Sequence, residues 1–225
     1  MRINRWLVEQ GVAPARRKAD EIIVAGRVEL DGRPAQLGDQ VIETSEVVVD
    51  GRIVRAQDSI TQQLIAYHKP VGEICSHAQQ GSAKTIFTNL PPEFRHYKII
   101  GRLDKDSEGL VLLTNDGKLA QSLAHPRANE YKCYEVTLNR KLTRDELNQL
   151  GSGVLVDGDM WRLGSVRNLD SCRYEIMLQE GKNRQIRRCM LAVGARVEQL
   201  KRTHIGVYML GDLEVGTWRE EPVRV

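Results

Sequence analysis

The chain has 225 residues, 41% hydrophobic and 28% charged, with a formal net charge of +3. That is enough length for one medium domain plus a small one, and the composition excludes a disordered or low-complexity chain. No run of about 18 apolar residues occurs and the opening MRINRWLVEQG lacks the apolar centre of a signal peptide, so a cytoplasmic protein without membrane spans is expected. Cys75, Cys133, Cys172 and Cys189 are scattered, with no CxxC pair and no zinc-like histidine spacing, which points to reduced structural thiols and no metal.

At the start of the chain, Ile3, Trp6 and Leu7 share a helical face that stops at Gly11. Pro14 opens a second helix in which Ala19, Ile22 and Ile23 point one way before Gly26. Val28 and Leu30 alternate up to an Asp31-Gly32 turn, and Val47-Val48-Val49 runs into another turn at Asp50-Gly51. These elements define a small domain over residues 1–55. RAQDSITQQ has no apolar period, so residues 56–63 read as a linker to a larger domain over 64–225.

In the larger domain, Leu110-Val111-Leu112-Leu113 reads as a buried strand closed by the turn-forming Asn115-Asp116-Gly117. A short helix follows Asp116 and stops near Pro126. Residues 133–138 and 172–178 alternate as strands, with Tyr134, Val136 and Leu138, and then Tyr174, Ile176 and Leu178, on one face each. Between them a capping box from Thr143 to Glu146 starts a helix that carries Leu147 and Leu150 and stops at Gly151. A last helix is expected from about residue 183 to 193, with Ile186, Met190 and Val193 inward and Gly194 as its end. No internal repeat is present.

The charge is segregated. Arg2, Arg5, Arg16, Arg17 and Lys18 oppose Glu9 alone in the first 18 residues, a net +4. Between residues 182 and 202, Lys182, Arg184, Arg187, Arg188, Arg196, Lys201 and Arg202 oppose only Glu198, a net +6. Such clusters suit a phosphate-tracking surface, although by themselves they would more often be solvated helix faces.

The stretch GRLDKDSEGLVLLTNDG, Gly101 to Gly117, sets Asp104 between Arg102 and the buried strand. Neighbouring cations keep such a carboxylate ionised while the strand shields it from water, as a nucleophile requires. The stretch resembles the central motif of the RsuA-type pseudouridine synthases, which isomerise uridine in ribosomal RNA. Three further segments agree in order: Tyr67-His68-Lys69-Pro70-Val71-Gly72 with Cys75-Ser76, then Lys132-Cys133-Tyr134-Glu135-Val136, then Glu180-Gly181-Lys182-Asn183-Arg184-Gln185-Ile186-Arg187-Arg188. Residues 1–55 resemble an S4 RNA-binding domain through Arg2, Leu7, Gly11, Arg16-Arg17, Ala19, Ile23 and Gly26-Arg27-Val28 ahead of Asp31-Gly32. The serine usual before the paired basic residues is Ala15, which leaves that helix start less well capped.

The resemblance implies an α+β fold: a mainly antiparallel mixed sheet with flanking helices and a central cleft, plus a small N-terminal S4-like α/β module. It implies no cofactor. Asp104 becomes the catalytic aspartate, Tyr134 the ring that packs on the uracil, and Arg187 the basic residue that pairs with the aspartate. Arg102 becomes the arginine that fills the gap left by a flipped nucleotide, where a planar guanidinium stacks and donates hydrogen bonds. Lys182, Asn183, Arg184, Gln185 and Arg188 are expected on the RNA, together with Arg2, Arg5, Arg16, Arg17 and Lys18. The partner is ribosomal RNA or a pre-ribosomal particle, taken by a monomer, and VGEIC with GDLEVGTWRE leans to the large subunit.

Each role has a plainer rival. An aspartate in a loop usually caps a turn, a tyrosine on an alternating strand usually packs in a core, and the choice of Arg187 among four cations in seven residues rests on the motif. Lys69 before Pro70 reads as an exposed turn residue with a structural role. His68, His77, His96, His125 and His204 stand singly, as surface or core residues. Of whole-chain rivals, a non-catalytic RNA-binding or ribosome-assembly protein has little need of Asp104, Tyr134 and Arg187 together. A carboxylate hydrolase would want a second acid or a metal; Asp106 and Glu108 are near, without metal-ligand spacing.

Overall fold

The computed structural model describes residues 1–54, 62–124 and 131–224, and the chain forms two compact units, Met1–Thr61 and Gln62–Val225. The expected linker lies outside the described residues except for Gln62 and Gln63. Those two are bound into the larger unit: the Gln63 N–H donates to Asn115 Oδ1 at 3.0 Å and the Thr114 hydroxyl donates to the Gln63 carbonyl at 2.7 Å.

In the small unit, α1 (Ile3–Glu9) buries Ile3, Trp6 and Leu7. Helix α2 (Arg16–Val24) begins two residues after Pro14 rather than on it. Ala15 is its N-cap, extended and without a side chain that can accept from the first turn. Four short strands, β1 (Val28–Leu30), β2 (Arg33–Pro34), β3 (Val47–Val49) and β4 (Arg52–Val54), form an antiparallel sheet in the order β2-β1-β3-β4. Asp31-Gly32 and Asp50-Gly51 both take positive φ at each residue, the geometry of tight two-residue hairpins.

The large unit is built on a mixed sheet. Its strands are β5 (Leu64–Lys69), β6 (Lys98–Ile100), β7 (Glu108–Thr114), β8 (Lys132–Leu138), and then, after a separate hairpin of β9 (Val154–Val156) and β10 (Asp159–Trp161), β11 (Ser165–Asp170), β12 (Arg173–Leu178), β13 (Val197–Ile205), β14 (Tyr208–Met209) and β15 (Trp218–Glu221). The path runs β11-β12-β8-β13-β7-β5-β15, with β14 on β13 and β6 on β7; β13–β7 is the one parallel pair among the described strands. The helices are α3 (Gly117–Ala124), α4 (Arg144–Ser152) and α5 (Gln185–Ala192). None of the described helices is long and apolar enough to cross a membrane.

The continuous apolar runs of β5 and β7 follow from burial on both faces. Ile65, Tyr67, Val111 and Leu113 enter the core that holds Tyr134 and Ile186, while Leu64, Ala66, Leu110 and Leu112 enter a second core with Leu119 and Ile205. Lys69, at the end of β5, is fully buried and not an exposed turn residue: its backbone pairs with Gly109 of β7 and its ammonium turns back on the Pro70 carbonyl.

Of three instructive helix boundaries, the start of α3 agrees with the sequence and the end of α4 and start of α5 differ from it. Asp116 caps α3, its Oδ1 accepting from the N–H groups of Lys118 and Leu119, so the Asn-Asp-Gly turn is also a helix start. The Thr143–Glu146 capping box forms, but α4 runs past Gly151 and stops at Gly153, whose φ of 131° a side chain resists. Helix α5 starts at Gln185 rather than near 183, because Arg184 takes a left-handed conformation at φ 52°. The other described non-glycine residues with positive φ, Asp31, Asp50 and Asp157, each precede a glycine in a hairpin turn. Pro126 and His125 lie outside the described residues.

Candidate active site

The loop from Gly101 to Ser107 joins β6 to β7, and its main chain is tied at nearly every residue. The carbonyls of Gly101 and Arg102 accept from Arg202, and the Leu103 N–H donates to the Cys75 sulfur at 3.3 Å. The Asp104 carbonyl accepts from the Ser107 N–H at 3.1 Å, and that of Lys105 from the Gly72 N–H at 2.7 Å. The Asp106 carbonyl accepts from Arg187 Nη2 at 2.7 Å. Leu103 meanwhile anchors its side chain in the core. A loop held this way presents its remaining side chains with little freedom.

Asp104 projects from this loop into a cleft of about 650 Å³, with 34% of its side chain exposed. Cys75, Arg102, Tyr134, Lys182, Arg184 and Arg187 are among the other lining residues. Tyr134 reaches the cleft from β8 with its ring otherwise packed in the core. The arginine within ion-pair distance of Asp104 is Arg184, at 3.5 Å. Its main bond is elsewhere, a bidentate pair with Asp106 at 2.9 and 2.7 Å.

Arg187 is also committed to Asp106 and its surroundings. It donates to the carbonyls of Asp106 and Val197, and its buried Nε faces Asp106 Oδ2 at 3.3 Å without forming a hydrogen bond. The Arg184 hydrogen bonds hold the Asp106 carboxyl below the usual aspartate range, and the same carboxylate raises Arg184 further. Burial pulls Arg187 below the usual arginine range. Asp106, absent from the candidate residues, thus joins the loop to the start of α5.

The other expected RNA-facing residues divide. Arg102 is exposed at the cleft, and no acid pairs with its guanidinium among the described residues. Lys182 and Arg188 lie over the Trp161 ring at 5.0 and 4.7 Å, and Arg188 also pairs with Asp157. Gln185 is buried: its Nε2 donates to the Arg162 carbonyl and Glu180, and its Oε1 accepts from the Lys182 N–H, so it braces the loop before α5. In the small unit, Arg16, Arg17 and Lys18 are exposed, Arg2 is exposed, and Arg5 is tied to Glu9 at 2.7 Å.

The Tyr67–Gly72 motif takes part in a polar layer that also draws in Glu73 and Asn89. Tyr67 donates to Glu73 Oε2 at 2.8 Å and Asn89 donates to Glu73 Oε1 at 2.6 Å. Lys69 Nζ donates to the Pro70 carbonyl at 2.8 Å. Burial raises the Glu73 carboxyl and the Cys75 thiol and lowers the Lys69 ammonium. Among the histidines, His68 is buried between the Leu213 carbonyl and Glu108, and His77 stacks on Phe87. All four cysteines are free.

Against known proteins, residues 63–192 match the family described as RNA pseudouridylate synthase, more than half of the chain. The chain belongs to that family. Residues 1–47 match the S4 domain, so the small unit is an S4 module as its sequence suggests. The Dual-specificity RNA pseudouridine synthase RluF of Escherichia coli O6:H1 is 36% identical over 220 residues, covering 98% of this chain and 75% of that protein. The Ribosomal large subunit pseudouridine synthase B of Yersinia pestis is 34% identical over 216 residues, 92% of this chain and 68% of its own. A solved pseudouridylate synthase superposes with a TM-score of 0.70 at 25% identity, covering 99% of this chain and 96% of that one. The chain is therefore an RNA pseudouridine synthase with the α+β architecture expected of that fold, not a pure RNA-binding scaffold.

Proposed function

We propose that this enzyme isomerises one uridine of ribosomal RNA to pseudouridine, that the RNA is that of the large subunit, and that Asp104 is the group that attacks. The observation that carries the reading is the pinned loop, which leaves Asp104 as a one-third-exposed carboxylate facing a cleft within the roughly 300–1,000 Å³ range of small-molecule sites. The names of the relatives above support ribosomal RNA, and those called large-subunit enzymes support that subunit.

The reaction breaks the N1–C1′ bond and joins C5 to C1′. The C5 proton is lost and N1 gains one, so nothing is consumed. Asp104 adds to C6 of the uracil, or it assists at C1′ while a proton leaves C2′ and later returns; the same residues serve both routes. In either, Tyr134 packs on the base, Arg184 and Arg187 keep cationic charge beside the carboxylate, and Arg102 fills the stack that the nucleotide leaves. Packing of the base in the cleft keeps water from it once it is detached. Arg2, Arg16, Arg17 and Lys18 give the S4 module its phosphate contacts. The enzyme works in the cytoplasm as a monomer, without metal or cofactor.

The test is a pseudouridine map of ribosomal RNA from cells with and without the gene. One large-subunit site should be missing, restored by the wild-type chain and not by Asp104→Asn. An unchanged map would refute the assignment.

A further inference from the structure

Strand β7 changes neighbours partway along one edge. Glu108 and Gly109 pair with Lys201 and Arg202 of β13, while Leu112 to Thr114 pair with β6. On that edge, at the fork between those partners, neither Leu110 nor Val111 has a strand opposite it. The Arg202 side chain fills that place: its Nε donates to the Leu110 carbonyl at 2.8 Å, its Nη1 to Arg102 at 3.4 Å and its Nη2 to Gly101. One rigid guanidinium therefore joins the strand after the Asp104 loop to Gly101 and Arg102 at the loop's start.

Two further observations show how closely the loop packs on Arg202, one on its side chain and one on its backbone. A Cβ at Gly101 would lie 3.3 and 3.4 Å from the Arg202 guanidinium nitrogens and 3.2 Å from Ile205, at a φ of +70°. A Cβ at Gly109 would collide with the Arg202 backbone, at a φ of +117°. Gly101 thus makes room for the Arg202 guanidinium, and Gly109 for the strand backbone that carries it. Arg202 is 1% exposed and forms no ion pair with any described carboxylate; its charge rests on carbonyl dipoles alone. A charge buried without a counter-ion is costly, and a satisfied hydrophobic residue would fill space more cheaply. Its three bonds serve the loop geometry.

We infer that Arg202 is a positioning residue for the isomerisation, fixing the main chain on the N-terminal side of Asp104 so that the carboxylate meets the flipped uridine. This rests on Asp104 being the attacking group. It predicts an effect on turnover and not on RNA affinity, since phosphate contacts elsewhere dominate binding.

Arg202→Lys keeps the charge but replaces the planar three-bond fork with a point charge. Its kcat should fall by about 100-fold, the scale of an ångström-level misplacement, while KM and RNA affinity stay within about twofold. Leu138→Ala, a buried change in the same sheet away from the cleft, serves as the stability control, with kcat of both variants referred to the folded fraction from urea unfolding. Guanidinium ion added at low concentration to Arg202→Ala should restore kcat saturably and do nothing for Leu138→Ala. If folded Arg202→Lys turns over at the wild-type rate, or loses no more kcat than Leu138→Ala, the inference is overturned. Should Asp104→Asn remain active, the reading beneath it fails instead; an inactive Asp104→Asn beside a fully active Arg202→Lys removes this inference alone.

Discussion

The two basic regions of the molecule hold their charge in opposite states. On α2, Arg16, Arg17 and Lys18 stand in solvent, and the Lys18–Glu21 pair, about three-fifths exposed on each side, is worth little in water. Between residues 182 and 202, Arg184 and Arg187 hold Asp106, Arg188 holds Asp157, Lys201 lies 3.7 Å from Glu108, and Arg202 is buried on carbonyls. The first region can release counterions to a phosphate backbone as it stands. Most of the second must be considered as structure before it is considered as a surface.

The contrast is broken most forcefully at Asp106. Asp106→Asn leaves Arg187 partly buried without its carboxylate and frees Arg184 to close on Asp104. We expect kcat to drop by roughly 10- to 100-fold and stability by about 1–2 kcal/mol, less than a fully buried pair because Asp106 is half-exposed. Its carboxyl lies below the ordinary aspartate value in the folded state, so its contribution is present above that ordinary value and is lost as pH falls through the folded one. Urea unfolding of wild type and variant should therefore differ at pH 7 and converge in strong acid; a constant difference would contradict the pairing.

The opposite outcome is expected on α2. Replacing Arg16, Arg17 and Lys18 by glutamine should leave the melting temperature and kcat unchanged but flatten the salt dependence of RNA affinity by about 0.7–0.9 per charge, roughly 2 to 3 in total. An unchanged slope would mean that this face does not meet RNA.

The smallest effect belongs to Glu146, whose carboxyl is held down to about 2 by Arg140 and then by the capping bond from the Thr143 N–H. Glu146→Gln should destabilise by less than about 1 kcal/mol. The contribution is complete above the ordinary value of 4.5 and disappears as pH falls through about 2, which urea titrations across that range measure.

What could be read in the sequence was local chemistry with a pattern. The apolar run of β7, the alternation of β8 and β12 and the Thr143 capping box each announce themselves within a few residues. The site could be assembled as a set of residues because its four motifs are distinctive. What escaped was set by distant contacts. Nothing in KNRQ marks Arg184 as left-handed, and its pairing with Asp106 and Asp104 crosses about 80 residues. Lys69 and Arg202 count as ordinary cations until β7 lies beside them and closes them off from water. Strand β13 reads VEQLKRTHI, with too little alternation to stand out, and the three-residue strands of the β9–β10 hairpin are too short to show a period on either side of the Asp157-Gly158 turn signal.

The most direct test of the account is single-turnover release of tritium from C5-labelled uridine in a large-subunit RNA fragment, run with wild type and Asp104→Asn at matched RNA occupancy. The account predicts RNA affinity close to wild type and no release above background from the variant. Release at a rate near that of the wild type would show that another group carries the reaction.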